Sequence, residues 1–335
     1  MRAVRLHGRR DLRVHEEEQP EPRPGEALVG ITAVGICGSD LHWYEEGSVG
    51  DARLDAPLIL GHEAAGIILE GERAGRRVAI DPAIPCGHCD PCLRARPHVC
   101  EDLAFAGTIG QDGALREVLA WPSESLVEVP EGLDPVATLM LEPLGVAIHA
   151  FGLARASLGD TVGVFGCGPI GLLLIQLARL SGARAIVATD RLPHRLEAAR
   201  ACGATDVALV DAGRERTLLG RVAPSGLDAT FEAVGDDDAL ETALHLARPA
   251  SRVVLVGIPG SDRTSFPASL ARRKGLSLLV SRRMNQTYPR AIELVRSGRI
   301  DVGSLVTHRY PLARSTEAFE SASSRAGLKV VVDVG

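Results

Sequence analysis

The chain has 335 residues, 45% of them hydrophobic and 24% charged, with a formal net charge of −6. That length allows two domains with substantial cores, and that balance excludes a disordered chain. The acidic sign leaves no basic footprint for nucleic acid, so none is expected as a partner.

The N-terminus, Met1-Arg2-Ala3-Val4-Arg5-Leu6-His7, has no long apolar stretch and predicts no signal peptide. A cytoplasmic location is therefore expected, where seven cysteines suit metal binding or burial better than disulfides. From there to about Glu142 run short β-rich segments, such as 27–31 and Arg77–Ile80, punctuated by Gly and Pro. They predict a compact β-rich domain with long functional loops.

Several of those loops carry groups that can bind metal. Cys37 lies in Gly35-Ile36-Cys37-Gly38-Ser39-Asp40-Leu41-His42, and His62 and Glu63 follow Gly61. Cys86, Cys89, Cys92 and Cys100 form C-x2-C-x2-C-x7-C. Four thiolates so spaced make a closed tetrahedral site that suits zinc, and the spacing also serves an iron–sulfur cluster. Glu142 opens Glu142-Pro143-Leu144-Gly145. Taken singly, Cys37, His62 and Glu142 read as a buried thiol, a satisfied core histidine and a surface carboxylate.

From about Gly145 the texture alternates between strand and helix. Strands are predicted at Thr161–Phe165, 185–189, 206–210, 229–232 and 253–256, with helices over 170–180 and Pro193–Cys202. Such alternation predicts an α/β domain, a doubly wound parallel sheet with helices on both faces. The apolar run 170–178 is too short to cross a bilayer, and no membrane association is expected.

Gly166-Cys167-Gly168-Pro169-Ile170-Gly171 follows the first of these strands and opens a helix, the context that a G-x-G-x-x-G needs to mark a dinucleotide site. Asp190 ends the next strand, where a carboxylate bonds the ribose hydroxyls and repels a 2′-phosphate, favouring NAD over NADP. Arg191 and Arg195 pull the other way, since arginines accommodate that phosphate. Val256 and Ile258, just past a later strand, are also assigned to the cofactor. Cys167 and Cys202 read as small buried fillers.

Taken together, these segments resemble the zinc-containing medium-chain alcohol dehydrogenase family over nearly the whole chain. Within it the sequence is most similar to the sorbitol and xylitol (polyol) dehydrogenase branch. The likeness rests on residues 37–42, on Glu142 where other alcohol dehydrogenases place a cysteine, and on 283–292 and 305–312. The resemblance implies a Rossmann domain over 145–281 and a β-rich GroES-like catalytic domain. The latter would comprise 1–144, with a structural zinc lobe at 85–101, and the return segment 282–335.

By the same resemblance a catalytic zinc is held by Cys37, His62 and Glu63, with Glu142 either a direct ligand or a partner of the zinc-bound water. The four cysteines would hold a second, structural zinc. Ser39 and His42 would relay the proton, and Trp43, Glu142, Arg283 and Met284 would meet the substrate. The implied reaction oxidises a secondary alcohol of a polyol to a ketose, with hydride transfer to NAD, in a homodimer or homotetramer. A zinc-dependent L-threonine 3-dehydrogenase is the alternative. Three features depart from the branch. Trp43 precedes Tyr44 where a tyrosine commonly follows the motif histidine, Met284 replaces a substrate-side tyrosine, and the loop 67–77 is short with Gly75-Arg76 before Arg77-Val78.

Overall fold

Strand formation in the N-terminal half follows from β-branched and small residues alternating between faces, as along Glu26–Gly35, whose Val29, Ile31 and Val34 are buried. In the computed structural model, which describes residues 1–211, 214–260 and 262–335 (backbone only at 214 and 218), that strand organises a seven-stranded sheet. Its order is Leu126–Glu128, Arg77–Ile80, Glu63–Ile68, Glu26–Gly35, Lys329–Asp333 and Val306–Pro311, with Val118–Pro122 also pairing on Glu26–Gly35. Register brings Glu63 opposite Gly35 on one side, while Val331 faces Gly35 on the other. Residues from three distant stretches of sequence thus meet at one end of a strand.

This sheet belongs to a compact unit formed by Met1–Pro143 and Tyr288–Gly335. Its core gathers Val29, Leu60, Trp43, Tyr44, Trp121 and Phe319, with Tyr44 and Phe319 rings 5.2 Å apart. Each such side chain contributes roughly 1.5–3 kcal/mol by leaving water, enough to hold loops that have little apolar content themselves.

A second unit spans Leu144–Thr287. Its six-stranded sheet is parallel throughout, in the order Asp206–Leu209, Ala185–Asp190, Thr161–Phe165, Leu227–Glu232, Ala247–Leu255, Ser277–Val280. This is the doubly wound arrangement that the alternation predicts. Every residue of Thr161–Phe165 is buried, and the helix Pro169–Leu180 is buried from Gly171 to Ala178. The order in which strands are added reverses beside Thr161–Phe165, which makes that place the switch point where such sheets take ligands at the carboxyl ends of their strands.

The strand Ser277–Val280 and the helix Ala268–Lys274 are not in the sequence reading. The strand is four residues long, without alternation, and its pairing with Ala247–Leu255 defines it. Lys274 closes its helix and donates to the carbonyls of Leu244, His245 and Ala247 at 2.9, 2.6 and 2.8 Å, capping the end of Asp237–Leu246. The stretch 135–154 is apolar and long enough to cross a membrane by composition alone, but most of it is buried and it carries Glu142.

Candidate metal centres and dinucleotide site

Cys37 sits where the strand Glu26–Gly35 gives way to the helix Gly38–Glu46, in the extended conformation of an N-cap. Asp40, on the helix's first turn, reaches back to accept the Cys37 N–H at 2.9 Å. Its other oxygen accepts the Gly61 N–H at 3.2 Å and lies 3.4 Å from His62 Nδ1. One buried carboxylate therefore ties the Cys37 and His62 loops together. With Nδ1 so engaged, His62 keeps Nε2 for a metal.

The ligand atoms of Cys37, His62 and Glu63 all lie within 4.8 Å of one another. A thiolate, an imidazole and a carboxylate are the donor types a catalytic zinc uses with one position left open. Electrostatics agree with that fit. Burial works against a charged His62, yet Asp40 and Cys37 outweigh it, so the ring holds a proton well above its ordinary range. Burial likewise opposes an ionised Asp40, but His62 and the Cys37 and Gly61 N–H groups hold its carboxyl below the ordinary range. The pocket favours a cation between its donors.

Glu63 pairs with the ammonium of Lys329, which is only 2% exposed and also donates to the Ile36 carbonyl at 2.9 Å. A side chain at Gly35 would strike both the Glu63 carboxylate and the Lys329 stem, so only glycine leaves room for this pair. Glu142, on the first turn of Leu141–Ala154, is buried nearby but is not among the three converging ligands. Burial pushes its carboxyl up to about 7; Glu63 and Asp81 push the same way, against His62 and Lys329.

Asp81 stands behind this cluster and accepts the Ala83 N–H at 3.1 Å, while burial pushes its carboxyl up to about 6. The folded chain then binds more protons than the unfolded one between the ordinary carboxyl value of 3.8 and about 6, so stability falls as pH rises through that window. Asp81→Asn removes that loss. Its urea midpoint should match the parent's near pH 4 and exceed it near pH 8, and equal midpoints at both would refute a raised Asp81.

Cys86, Cys89, Cys92 and Cys100 converge in the same manner, all as free thiols. Cys89 Sγ and Cys100 Sγ are 3.7 Å apart, close to the edge of about 3.8 Å that a ZnS₄ tetrahedron with 2.3 Å bonds requires. The N–H groups of Cys86 and Cys89 point at Cys100 Sγ and Cys86 Sγ, at 3.3 and 3.4 Å. Leu93 in this lobe is 75% exposed and only Cys100 among the four is buried, so the lobe has no apolar core to order it.

In the second unit Gly166 turns the chain with φ 104°, and a side chain at Gly171 would strike the Gly166 carbonyl. Gly168 caps the helix Pro169–Leu180, and among the described residues only Arg195 lies over it, 3.8 Å from where a side chain would begin. In the first turn of that helix Pro169 has no N–H to offer, Leu172 donates to the Gly168 carbonyl at 2.9 Å, and the N–H groups of Ile170 and Gly171 have no intrahelical acceptor. Asp190 accepts the Cys167 N–H at 2.8 Å and the Leu192 N–H at 2.9 Å, which fixes its carboxylate at the strand end. Val256 follows Ala247–Leu255, its N–H on the Glu232 carbonyl at 2.8 Å, and Ile258 beyond it is exposed.

Other predicted site residues are placed as follows. Ser39 and His42 share one face of Gly38–Glu46, and His42 Nδ1 lies 3.0 Å from Glu46. Trp43 is packed in the core of the first unit. Arg283 takes a left-handed φ of 55°, rare outside glycine, and Met284 packs where a Gly145 side chain would stand. Asp40, Asp81 and Lys329 are absent from the sequence assignment. Asp40 alone had a signal there, three residues after Cys37 in capping position.

Residues 23–131 match the alcohol dehydrogenase GroES-like domain family and residues 169–297 the zinc-binding dehydrogenase family. The chain is 32% identical to sorbitol dehydrogenase of Bacillus subtilis, over 96% of this chain and 93% of that one. It is 36% identical to a probable D-xylulose reductase A of Arthroderma otae, over 96% and 94%. Among solved structures, an alcohol dehydrogenase of Escherichia coli CFT073 in complex with NADH superposes with a TM-score of 0.91, at 29% identity over 100% of this chain and 99% of that one. A zinc-binding dehydrogenase of Sinorhizobium meliloti bound to NADP gives 0.89, at 29% identity over 99% of each. The chain belongs to the zinc-binding alcohol dehydrogenase family and is an oxidoreductase acting on CH–OH groups with zinc and a nicotinamide cofactor.

Proposed function

We propose that this enzyme oxidises a secondary hydroxyl of a polyol to the corresponding ketose, using NAD. The observation that carries the reading is the convergence of Cys37, His62 and Glu63 in a chain similar to a sorbitol dehydrogenase and a D-xylulose reductase. Those three residues hold the catalytic zinc with Glu142 beside them, and Cys86, Cys89, Cys92 and Cys100 hold a structural one. When bound, zinc supplies Lewis-acid polarisation of a hydroxyl and the nicotinamide ring supplies the hydride acceptor.

The chain's own residues do the rest. Asp40 fixes the His62 tautomer, and Lys329 balances the charge of Glu63. Ser39 and His42 pass the hydroxyl proton towards solvent, with Glu46 3.0 Å from His42 Nδ1. Gly166, Gly168 and Gly171 admit the pyrophosphate, and Asp190 accepts from the ribose hydroxyls. One polyol and one NAD give one ketose, one NADH and one proton. The enzyme works in the cytoplasm as a homodimer or homotetramer, without nucleic-acid or membrane partners.

A panel of sorbitol, xylitol and L-threonine with NAD and with NADP tests this. NADH formation with the polyols is expected, and turnover confined to L-threonine would overturn the proposal. Asp190→Ala should raise the KM for NAD by about tenfold and narrow the NAD/NADP ratio of kcat/KM; an unchanged ratio would remove Asp190 from the ribose site.

A further inference from the structure

The corner of the dinucleotide site beyond Asp190 holds an ion pair that neither the fold nor the fingerprint requires. Arg191 follows Asp190 directly, where its guanidinium could receive a 2′-phosphate. Instead it donates to Asp236 at 3.0 Å, with Asp238 3.9 Å away. Asp236 is a fixed partner, because its other oxygen caps the helix Asp237–Leu246 by accepting the Ala239 N–H at 2.7 Å. Asp237 is engaged separately, taking the N–H and hydroxyl of Ser265 at 3.0 and 2.6 Å. Arg191 and these three aspartates line a cleft of ≈ 390 Å³ together with Arg263, all within the second unit.

We propose that Asp236 and Asp238 are cofactor-specificity residues, which exclude NADP by holding Arg191 away from the 2′-phosphate. The inference rests on the NAD reading above and names what enforces it besides Asp190. Exposed ion pairs of this kind are individually weak, and the Arg191 side chain is 61% exposed. Discrimination therefore does not come from the strength of the pair. It comes from what breaking it leaves behind: to fork a phosphate, Arg191 must abandon Asp236, and a dianion then faces Asp190, Asp236 and Asp238, with Arg263 the other cation lining the cleft. NAD brings two ribose hydroxyls instead and leaves the pair intact. The same fold accommodates NADH in one relative and NADP in another, so the fold alone does not set the choice.

The test is direct binding of NADH and NADPH, by titration of the purified zinc-loaded protein, in three forms. These are the parent, the double variant Asp236→Asn with Asp238→Asn, and that double variant with Arg191→Ala added. Asparagine keeps the helix cap, and a ratio of two ligands on one preparation is insensitive to partial misfolding. The NADPH/NADH affinity ratio should rise about tenfold in the double variant, and the rise should vanish when Arg191 is removed. An unchanged ratio in the double variant, with NADH still preferred, overturns the inference and leaves Asp190 sufficient. A rise that survives loss of Arg191 also overturns it, since the arginine was then not what the aspartates withheld. Preference for NADPH in the parent overturns the NAD reading itself and the inference with it.

Discussion

Replacing Cys37 with serine is expected to lower kcat/KM for alcohol oxidation by about 10³-fold or more, while NADH still binds with its affinity changed by less than about twofold. The hydroxyl of serine does not ionise at neutral pH, so the three-donor cluster loses its thiolate and with it a principal claim on the metal. Local structure should survive, because the Asp40 carboxylate holds residue 37 through its backbone N–H, a bond that serine keeps. The dinucleotide site is built in the other unit, from Gly166 to Asp190, and has no part in the substitution. Zinc content should fall by one ion per chain, leaving the one at the four cysteines. Turnover within tenfold of the parent, or loss of both ions together, would show that the two centres are misassigned.

The second large effect concerns Lys329. Lys329→Met leaves Glu63 as a buried carboxylate without its partner, a change that costs about 3–5 kcal/mol. For a unit of this size the apparent melting temperature should drop by roughly 10 °C. Two companions separate charge from packing. Lys329→Arg should recover part of the loss, and Lys329→Met combined with Glu63→Gln should recover most of it, because removing a buried pair entirely is far milder than halving it. The drop should be larger in zinc-free protein, since a bound cation supplies part of the charge that Lys329 provides. A melting temperature unchanged in the zinc-free single variant would show that the pair does not exist in solution.

The two units were not equally legible in the sequence. Strands of a parallel sheet are buried on both faces, so Thr161–Phe165 reads as an unbroken apolar run and its boundaries emerge directly. Helix Pro193–Cys202 was equally plain, with Pro at its start and Gly203 just beyond. The glycines at 166 and 171 are explicit because no other residue satisfies the turn and the close approach. Ser277–Val280 had no such signature, being short and defined by its neighbour.

At the metal centre the ligand types were readable, whereas the groups that govern them were not. Asp40 was visible as a letter in a motif, yet its three contacts arise from a capping geometry that joins two loops. Lys329 could not be found at all from spacing, since it reaches Glu63 only through the register of three strands drawn from opposite ends of the chain. Trp43 illustrates the converse. Beside a motif histidine it reads as substrate-facing, but on a helix of nine residues sequence does not decide which face turns inward, and it packs in the core.

The two lysines have a consequence outside catalysis. Of 37 basic residues, all but Lys274 and Lys329 are arginines, and those two are held by helix-end carbonyls and by Glu63. Even the terminal amine of Met1 donates to the Glu17 carbonyl at 2.7 Å. This chain of 335 residues therefore offers few primary amines. Acylating labels, aldehyde crosslinkers and lysine-directed conjugation should find scarcely a handle on it, while guanidinium charge keeps its surface potential nearly constant far into the alkaline range.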